Sequence, residues 1–146
     1  MYKTSLPDPG EKALESSRKL AEIIIKDIRE SEKGVVGFDK YMLRALLEPG
    51  LGYYSAENQI FGLDGDFTTA PEMGTVFGKC MARQCTEVLG HTSGQLTEYG
   101  AGTGSLAAII MDTLSVKEES RPSSYLIVEP SLVLQERQKL LLSKKE

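Results

Sequence analysis

The chain has 146 residues, 40% of them hydrophobic and 26% charged, with a formal net charge of -4 and an isoelectric point near 5.2, ordinary values for a soluble globular protein. They exclude an overall basic field that would favour nucleic acid or anionic membrane, and no apolar run approaches the ~20 residues of a membrane-spanning helix. The segment Met1 to Pro9 has no hydrophobic signal core and is followed early by acidic residues, unlike a transit peptide, so a cytoplasmic protein is the default expectation.

After this polar, proline-bearing start, an amphipathic helix is predicted from Ala13 to Ser31. Ser17, Leu20, Ala21, Ile24 and Ile28 form its inward stripe, widened by Ile23 and Ile25, with Lys19, Glu22, Lys26 and Arg29 on the wet side. Glu32-Lys33-Gly34 breaks it and Val35-Val36 reads as a short strand. Phe38 to Leu47 reads as a second helix with Phe38, Met42, Ala45 and Leu46 inward, stopped by Pro49-Gly50. Gly52-Tyr53-Tyr54-Ser55 reads as extended, its two tyrosines on opposite faces.

Phe61 to Glu72 has neither helical nor strand period and is predicted to be loop, either a structured turn or a functional segment. Its Asp64-Gly65-Asp66 lacks the remaining ligands of a calcium loop. A third helix is predicted from Thr75 to Leu89, with Val76, Cys80, Gln84 and Val88 in one line beside Phe77 and Met81. Cys80 and Cys85 are turned away from each other by their spacing, which disfavours a disulfide or a shared metal. The single histidine, His91, follows in a loop, so neither metal catalysis nor a histidine-based triad is expected.

From Gln95 the organisation changes. Gln95 to Tyr99 reads as a strand, Ser105 to Leu114 as a helix, Ser115 to Pro122 as a polar connection, Tyr125 to Glu129 as a nearly continuous apolar strand, and Leu132 to Leu142 as a further helix. An apolar run of that kind suits a parallel strand covered on both faces. Strand, glycine turn, helix, strand, helix opens a doubly wound α/β sheet. Two parallel strands cannot bury the core of a typical domain. The expectation is therefore the front portion of a larger protein, with residues 1–92 a mainly helical N-terminal extension carrying a loop at 61–72, and 93–146 the first βαβα part of a cofactor-binding domain.

The turn itself, Glu98-Tyr99-Gly100-Ala101-Gly102-Thr103-Gly104-Ser105-Leu106-Ala107, accepts two overlays. Gly102-x-Gly104-x-x-Ala107 satisfies a dinucleotide fingerprint, with Glu129, 25 residues beyond Gly104, near the place of a ribose-binding acid. Glu98-x-Gly100-x-Gly102-x-Gly104 instead resembles motif I of class I S-adenosylmethionine-dependent methyltransferases. A carboxylate beside the turn repels a pyrophosphate but favours a ligand carrying a sulfonium and an ammonium, so Glu98 favours the second overlay.

Phe38-x-x-Tyr41-Met42, Pro49-Gly50-Leu51-Gly52-Tyr53-Tyr54-Ser55, Gly65-Asp66-Phe67-x-Thr69-Ala70-Pro71-Glu72 and Phe77-Gly78 follow in one order. With the glycine turn and Tyr125-x-Ile127-Val128-Glu129-x-Ser131-x-x-Leu134-x-x-x-Gln138, they resemble the MidA-like methyltransferases from about Leu20 onward. The resemblance implies an α/β, Rossmann-like class I methyltransferase sheet preceded by a helical extension, here an incomplete domain, and S-adenosylmethionine as cofactor. It also implies a protein substrate, since the mitochondrial members dimethylate an arginine of a respiratory complex I subunit. Neither a nucleic acid nor a membrane partner is implied, and mitochondrial targeting belongs to the eukaryotic members.

Carried over by position, Gly100, Gly102 and Gly104, with Ala101 in the same turn, would line the methionine part of the cofactor and Glu129 its ribose, while charge favours Glu98 near the amino-acid end. Asp66, Phe67, Thr69 and Pro71 would belong to the loop beside the pocket. Asp66 and Glu72 are the candidates to hold an acceptor guanidinium. Leu47 stands where many relatives have tyrosine, and the family chain is more than twice as long. An inert fragment, a module completed by a partner chain, and an NAD(P)-binding enzyme are the competing readings.

Overall fold

A computed structural model describes residues 9–56, 60–62, 65–66, 68–91, 94–115 and 121–143. Asp64 and Phe67 of the predicted loop, Thr92-Ser93 and most of the connection after Ser115 lie outside the described residues. The chain divides into two compact units, Met1–Ala56 and Glu57–Glu146.

In the first unit, helix α1 (Glu11–Glu30) packs on helix α2 (Phe38–Leu47). A ten-residue helix is about 15 Å long and covers only half of one twice its length. The half-buried face of α1 is accordingly Leu20, Ile23, Ile24, Asp27 and Ile28, while Ser17, Ala21 and Ile25, expected inward, are exposed. An acid stands in that face because Arg44 of α2 forks onto it. Nε donates to Asp27 Oδ2 at 2.7 Å, Nη2 to Oδ1 at 3.3 Å, and Nη1 to Glu48 Oε2 at 2.6 Å. The hydrogen bonds from Arg44 hold the Asp27 carboxyl below the usual range, and its two carboxylate partners push the guanidinium up.

Three sequence expectations are corrected in this unit. Phe38, at the first position of α2, is 74% exposed and stacks on Tyr41 at a centroid distance of 6.1 Å instead of pointing inward. Val35-Val36 forms no strand, having no partner strand among the described residues of the unit. Gly52 to Ser55 is a turn, not an extended segment. The Tyr53 and Tyr54 N–H groups donate back to the Ala45 and Leu46 carbonyls of α2 at 2.9 and 2.8 Å, so the rings meet edge to face at 5.1 Å.

The second unit holds α3 (Ala70–Met73), α4 (Thr75–Leu89), β1 (Gln95–Tyr99), α5 (Ser105–Ser115), β2 (Ser124–Val128) and α6 (Leu132–Leu142). Strands β1 and β2 are parallel, in register from Gln95↔Ser124 to Tyr99↔Val128, with α5 as the crossover that parallel pairing requires. One face of the pair carries Leu96 and Tyr125, packed on a core of Ala82, Leu89, Ile110 and Leu114 from α4 and α5. The buried residues of α4 are Gly78, Ala82 and Leu89, with Cys85 against the core, not the line Val76-Cys80-Gln84-Val88. Close approach decides the face: a Cβ on Gly78 would lie 2.6 Å from Ile109 Cγ2 of α5.

Helices α3 and α4 thus belong with the strands, and the division between units falls at Ala56. The second face of the pair, with Thr97, Tyr99, Leu126 and Val128, is exposed, so the apolar run of β2 is covered on one side only among the described residues. Each strand also keeps one unpaired edge among them.

Candidate functional site

The C-terminal ends of β1 and β2 lie level, as the register requires, and the ladder runs one residue further through Gly100 N–H to Val128 O at 2.9 Å. The chain then turns on three left-handed glycines, with φ of +68° at Gly100, +55° at Gly102 and +85° at Gly104. L-residues with a side chain pay roughly 1–2 kcal/mol for such angles. Gly104 N–H donates to Ala101 O at 2.8 Å, and Gly104 O accepts the first helical bond of α5 from Ala108 at 3.0 Å. Around Gly100 nothing lies within 4 Å of where a Cβ would stand. That flank is a cradle a side chain would fill, and it suits a ligand lying close against the backbone.

Glu98 ends up differently from its reading as an open acid beside the turn. It shares the core face of β1 with Leu96, and its Oε2 accepts from Tyr125 O–H of β2 at 2.8 Å. Burial, and then the Glu98 carboxylate, push the Tyr125 phenol above its ordinary range.

Glu129 follows the end of β2 directly. Its Oε1 accepts the Ser131 N–H at 3.0 Å, and its backbone carbonyl accepts from Gln135 Nε2 at 2.7 Å. The fully buried Ser131 caps α6, its hydroxyl oxygen accepting the Leu134 N–H at 3.2 Å. Gln138, one turn along, donates from Nε2 to Gly102 O at 2.9 Å and lies 3.5 Å from Glu129 Oε2. The glycine turn and the acid at the end of β2 are therefore joined by one side chain.

The loop before α4 reaches the same turn. A Cβ on Gly102 would contact the Phe61 ring at 3.6 Å, and Ile60 beside it is buried. Glu72 is the third residue of α3. Its Oε2 accepts the N–H of the capping residue Thr69 at 3.2 Å, while its Oε1 accepts Thr103 O–H at 3.2 Å. Thr103 in turn shares a 2.8 Å hydrogen bond with Ser105. Both Glu72 oxygens are thus engaged in bracing loop to turn. Thr69 and Pro71 stand at the cap and second position of α3, and Asp66 is exposed just upstream. Phe67 lies outside the described residues.

Tyr125, Thr103 and Gln138 carry no assigned role from the sequence, whereas Thr69 and Glu72 do. Thr69-x-x-Glu72 is a capping-box pattern, a signal sufficient to find α3 and to assign Glu72 a structural partner. Tyr125 is the second residue of an alternating strand, and its register opposite Leu96 puts it on the face of Leu96 and Glu98 once parallel pairing is known. The roles of Thr103 and Gln138 depend on contacts 31 and 36 residues away along the chain, for which local pattern holds no signal.

Comparison with known proteins adds the following. A family model described as S-adenosyl-L-methionine-dependent methyltransferase matches residues 80–146. A Caenorhabditis elegans protein named as a mitochondrial homolog of the protein arginine methyltransferase NDUFAF7 is 29% identical over 95% of this chain and 34% of its own length. The Danio rerio protein arginine methyltransferase NDUFAF7, mitochondrial, is 35% identical over 68% of this chain and 25% of its own. A crystal structure of a COG1565 superfamily member from Burkholderia thailandensis, bound to S-adenosyl-homocysteine, aligns with a TM-score of 0.76 and 37% identity. It covers 96% of this chain and 37% of that one. The chain spans about a third or less of the curated relatives it matches. Their mitochondrial names overturn the cytoplasmic expectation, which rested on Met1 to Pro9 resembling neither a signal core nor a transit peptide.

Proposed function

We propose that this chain, which belongs to the MidA-like family of class I S-adenosylmethionine-dependent methyltransferases, provides the part of the enzyme that grips S-adenosylmethionine. The observation that carries the reading is the junction of three left-handed glycines with Glu129 through Gln138. Gly100, Ala101, Gly102 and Gly104 offer backbone to the methionine part, and the open flank at Gly100 fits close approach. Glu129 keeps acceptor capacity for the ribose hydroxyls beyond its bond to Ser131. Glu98 contributes negative charge near the amino-acid end while one of its oxygens stays with Tyr125. Thr69 and Pro71 belong to the wall beside the pocket, which Glu72 ties to the turn.

When bound, S-adenosylmethionine supplies a methyl carbon activated by its sulfonium. What remains for the protein is alignment and exclusion of water. The glycine turn and Glu129 fix the ligand at two ends, and the short brace from Glu72 to Thr103 keeps the loop against it. The relatives are named protein arginine methyltransferases, which supports a protein arginine as acceptor for the whole enzyme. A guanidinium needs a carboxylate to hold it planar. With both Glu72 oxygens occupied, Asp66 is the candidate for that role.

Calorimetric titration of the 146-residue chain with S-adenosylhomocysteine and with NAD tests the reading. Binding of the first and not the second is the expected result; NAD binding alone would restore the dinucleotide overlay. No binding of either supports an inert or partner-completed module, a second reading favoured by the two-stranded sheet whose second face is uncovered among the described residues. Transfer of labelled methyl to arginine in candidate proteins, lost on Asp66→Asn, is the expected behaviour of the whole enzyme.

A further inference from the structure

Gln138 of α6 is 5% exposed, and its amide is placed between two acceptors, the Gly102 carbonyl at 2.9 Å and Glu129 Oε2 at 3.5 Å. A position facing a carbonyl and a carboxylate needs two N–H donors on one neutral group, which a primary amide supplies. Its stem closes the other side of the turn: a Cβ on Gly104 would stand 3.2 Å from Gln138 Cγ and 3.5 Å from Gln138 Cα. The two neighbouring glutamine and serine contacts, Gln135 Nε2 to Glu129 O and Ser131 N–H to Glu129 Oε1, fix the backbone and the first oxygen of Glu129. Among the described residues, the amide of Gln138 addresses the second oxygen of that carboxylate and joins it to the glycine turn.

We propose that Gln138 is a positioning residue of the cofactor site: it sets the spacing between the turn and Glu129 and aims the free side of that carboxylate at a vicinal diol of the ligand. The inference rests on the cofactor reading above and extends it to a residue on α6. It makes a chemical demand on the position. Methionine keeps the volume but removes both donors, leaving the Gly102 carbonyl and Glu129 Oε2 unaddressed. Glutamate keeps the shape but faces two acceptors with a carboxylate, and can restore a donor only by taking up a proton.

The test titrates the wild-type chain, Gln138→Met and Gln138→Glu with S-adenosylhomocysteine and with its 2′-deoxyribose analogue, at about pH 5.5 and about pH 8. Expected for Gln138→Met is about tenfold weaker binding of S-adenosylhomocysteine and little change for the deoxy analogue, which lacks one of the hydroxyls that Glu129 would hold. Gln138→Glu is expected to bind more weakly at the higher pH than at the lower, whereas the wild type is not. Equal weakening of both ligands in Gln138→Met, or wild-type binding by Gln138→Glu at both pH values, overturns the positioning role and leaves the cofactor reading standing. Failure of the wild-type chain to bind overturns the cofactor reading, and the positioning role with it. Should the variants not fold by circular dichroism, the side-chain amide resonances of Gln138 in the labelled wild-type chain decide the matter. They are expected to shift on saturation with S-adenosylhomocysteine but less with the deoxy analogue, and unmoved resonances overturn the role.

Discussion

Replacing Gly104 by alanine measures how tightly the turn is built against α6. The backbone φ of +85° there costs an L-residue about 1–2 kcal/mol. The new methyl group also meets Gln138 at 3.2 Å from Cγ and 3.5 Å from Cα. The Cα is fixed in α6, and the Cγ is tethered through the amide bond to Gly102 O, so the side chain cannot swing away without losing that bond. Adding a modest overpacking cost to the backbone strain gives about 2–3 kcal/mol for Gly104→Ala. Gly100→Ala is the internal control: its φ is +68° but nothing lies within 4 Å of the added atom, so strain alone, about 1–2 kcal/mol, is expected. Urea unfolding followed by circular dichroism, with m unchanged among variants, supplies both numbers. In a Gln138→Ala background the excess at Gly104 should vanish. Equal losses at Gly100 and Gly104 with Gln138 in place, or no loss at Gly104, refute the reasoning.

Tyr125→Phe removes the hydroxyl that donates to Glu98 at 2.8 Å and is expected to cost about 1 kcal/mol. Because burial and then Glu98 raise the phenol pKa, the folded state prefers the neutral phenol. That contribution is complete below about pH 10 and declines as pH rises above it. Urea midpoints should therefore fall in alkali less steeply for Tyr125→Phe, and parallel declines would sink the explanation. In the first unit Arg44 depresses the Asp27 carboxyl, so its stabilisation is present above the unfolded pKa near 3.8 and is lost as pH falls through the lower folded value. Asp27→Asn should flatten the acid limb of a helicity titration; an unchanged limb would argue against the Arg44 fork as its source. Gly78→Ala should lose about 1–2 kcal/mol despite the better helix propensity of alanine. The added atom would stand 2.8 Å from Ile109 Cβ, which no trimming of Ile109 short of glycine removes, so thermal melts should show no rescue by Ile109→Ala.

Legibility in the sequence followed the range of the forces involved. Helix α4 at Thr75–Leu89 and strand β1 at Gln95–Tyr99 lie where period and glycine punctuation predict them. The turn on Gly100, Gly102 and Gly104 was legible for the same reason, since turn geometry is local. Which face of α4 is buried was not, because it is decided by whether α5 can approach Gly78 and Ala82 and not by where apolar side chains align. Phe38 misled by its hydrophobicity: at the first position of a short helix it stays exposed and stacks on Tyr41. Tyr53-Tyr54 has strand propensity, yet two backbone bonds to the end of α2 override it. Glu98 and Glu72 were legible as acids, but not as acids already in use, since Tyr125 and Thr103 come from other elements.

The uncovered strand pair has a practical consequence for handling the protein. Strand β2 reads Ser-Tyr-Leu-Ile-Val, without charge, proline or glycine, and among the described residues it presents an unpaired edge beside exposed Leu126 and Val128. Open, uncharged edges template pairing with other chains, and a short β-prone run of low charge is the sequence type that stacks into ordered aggregates. The net charge of -4 gives only mild colloidal repulsion. Turbidity of the 146-residue chain should therefore rise with concentration and with added salt, and a lysine placed at the outward-facing Leu126 should act as a gatekeeper that keeps the solution clear.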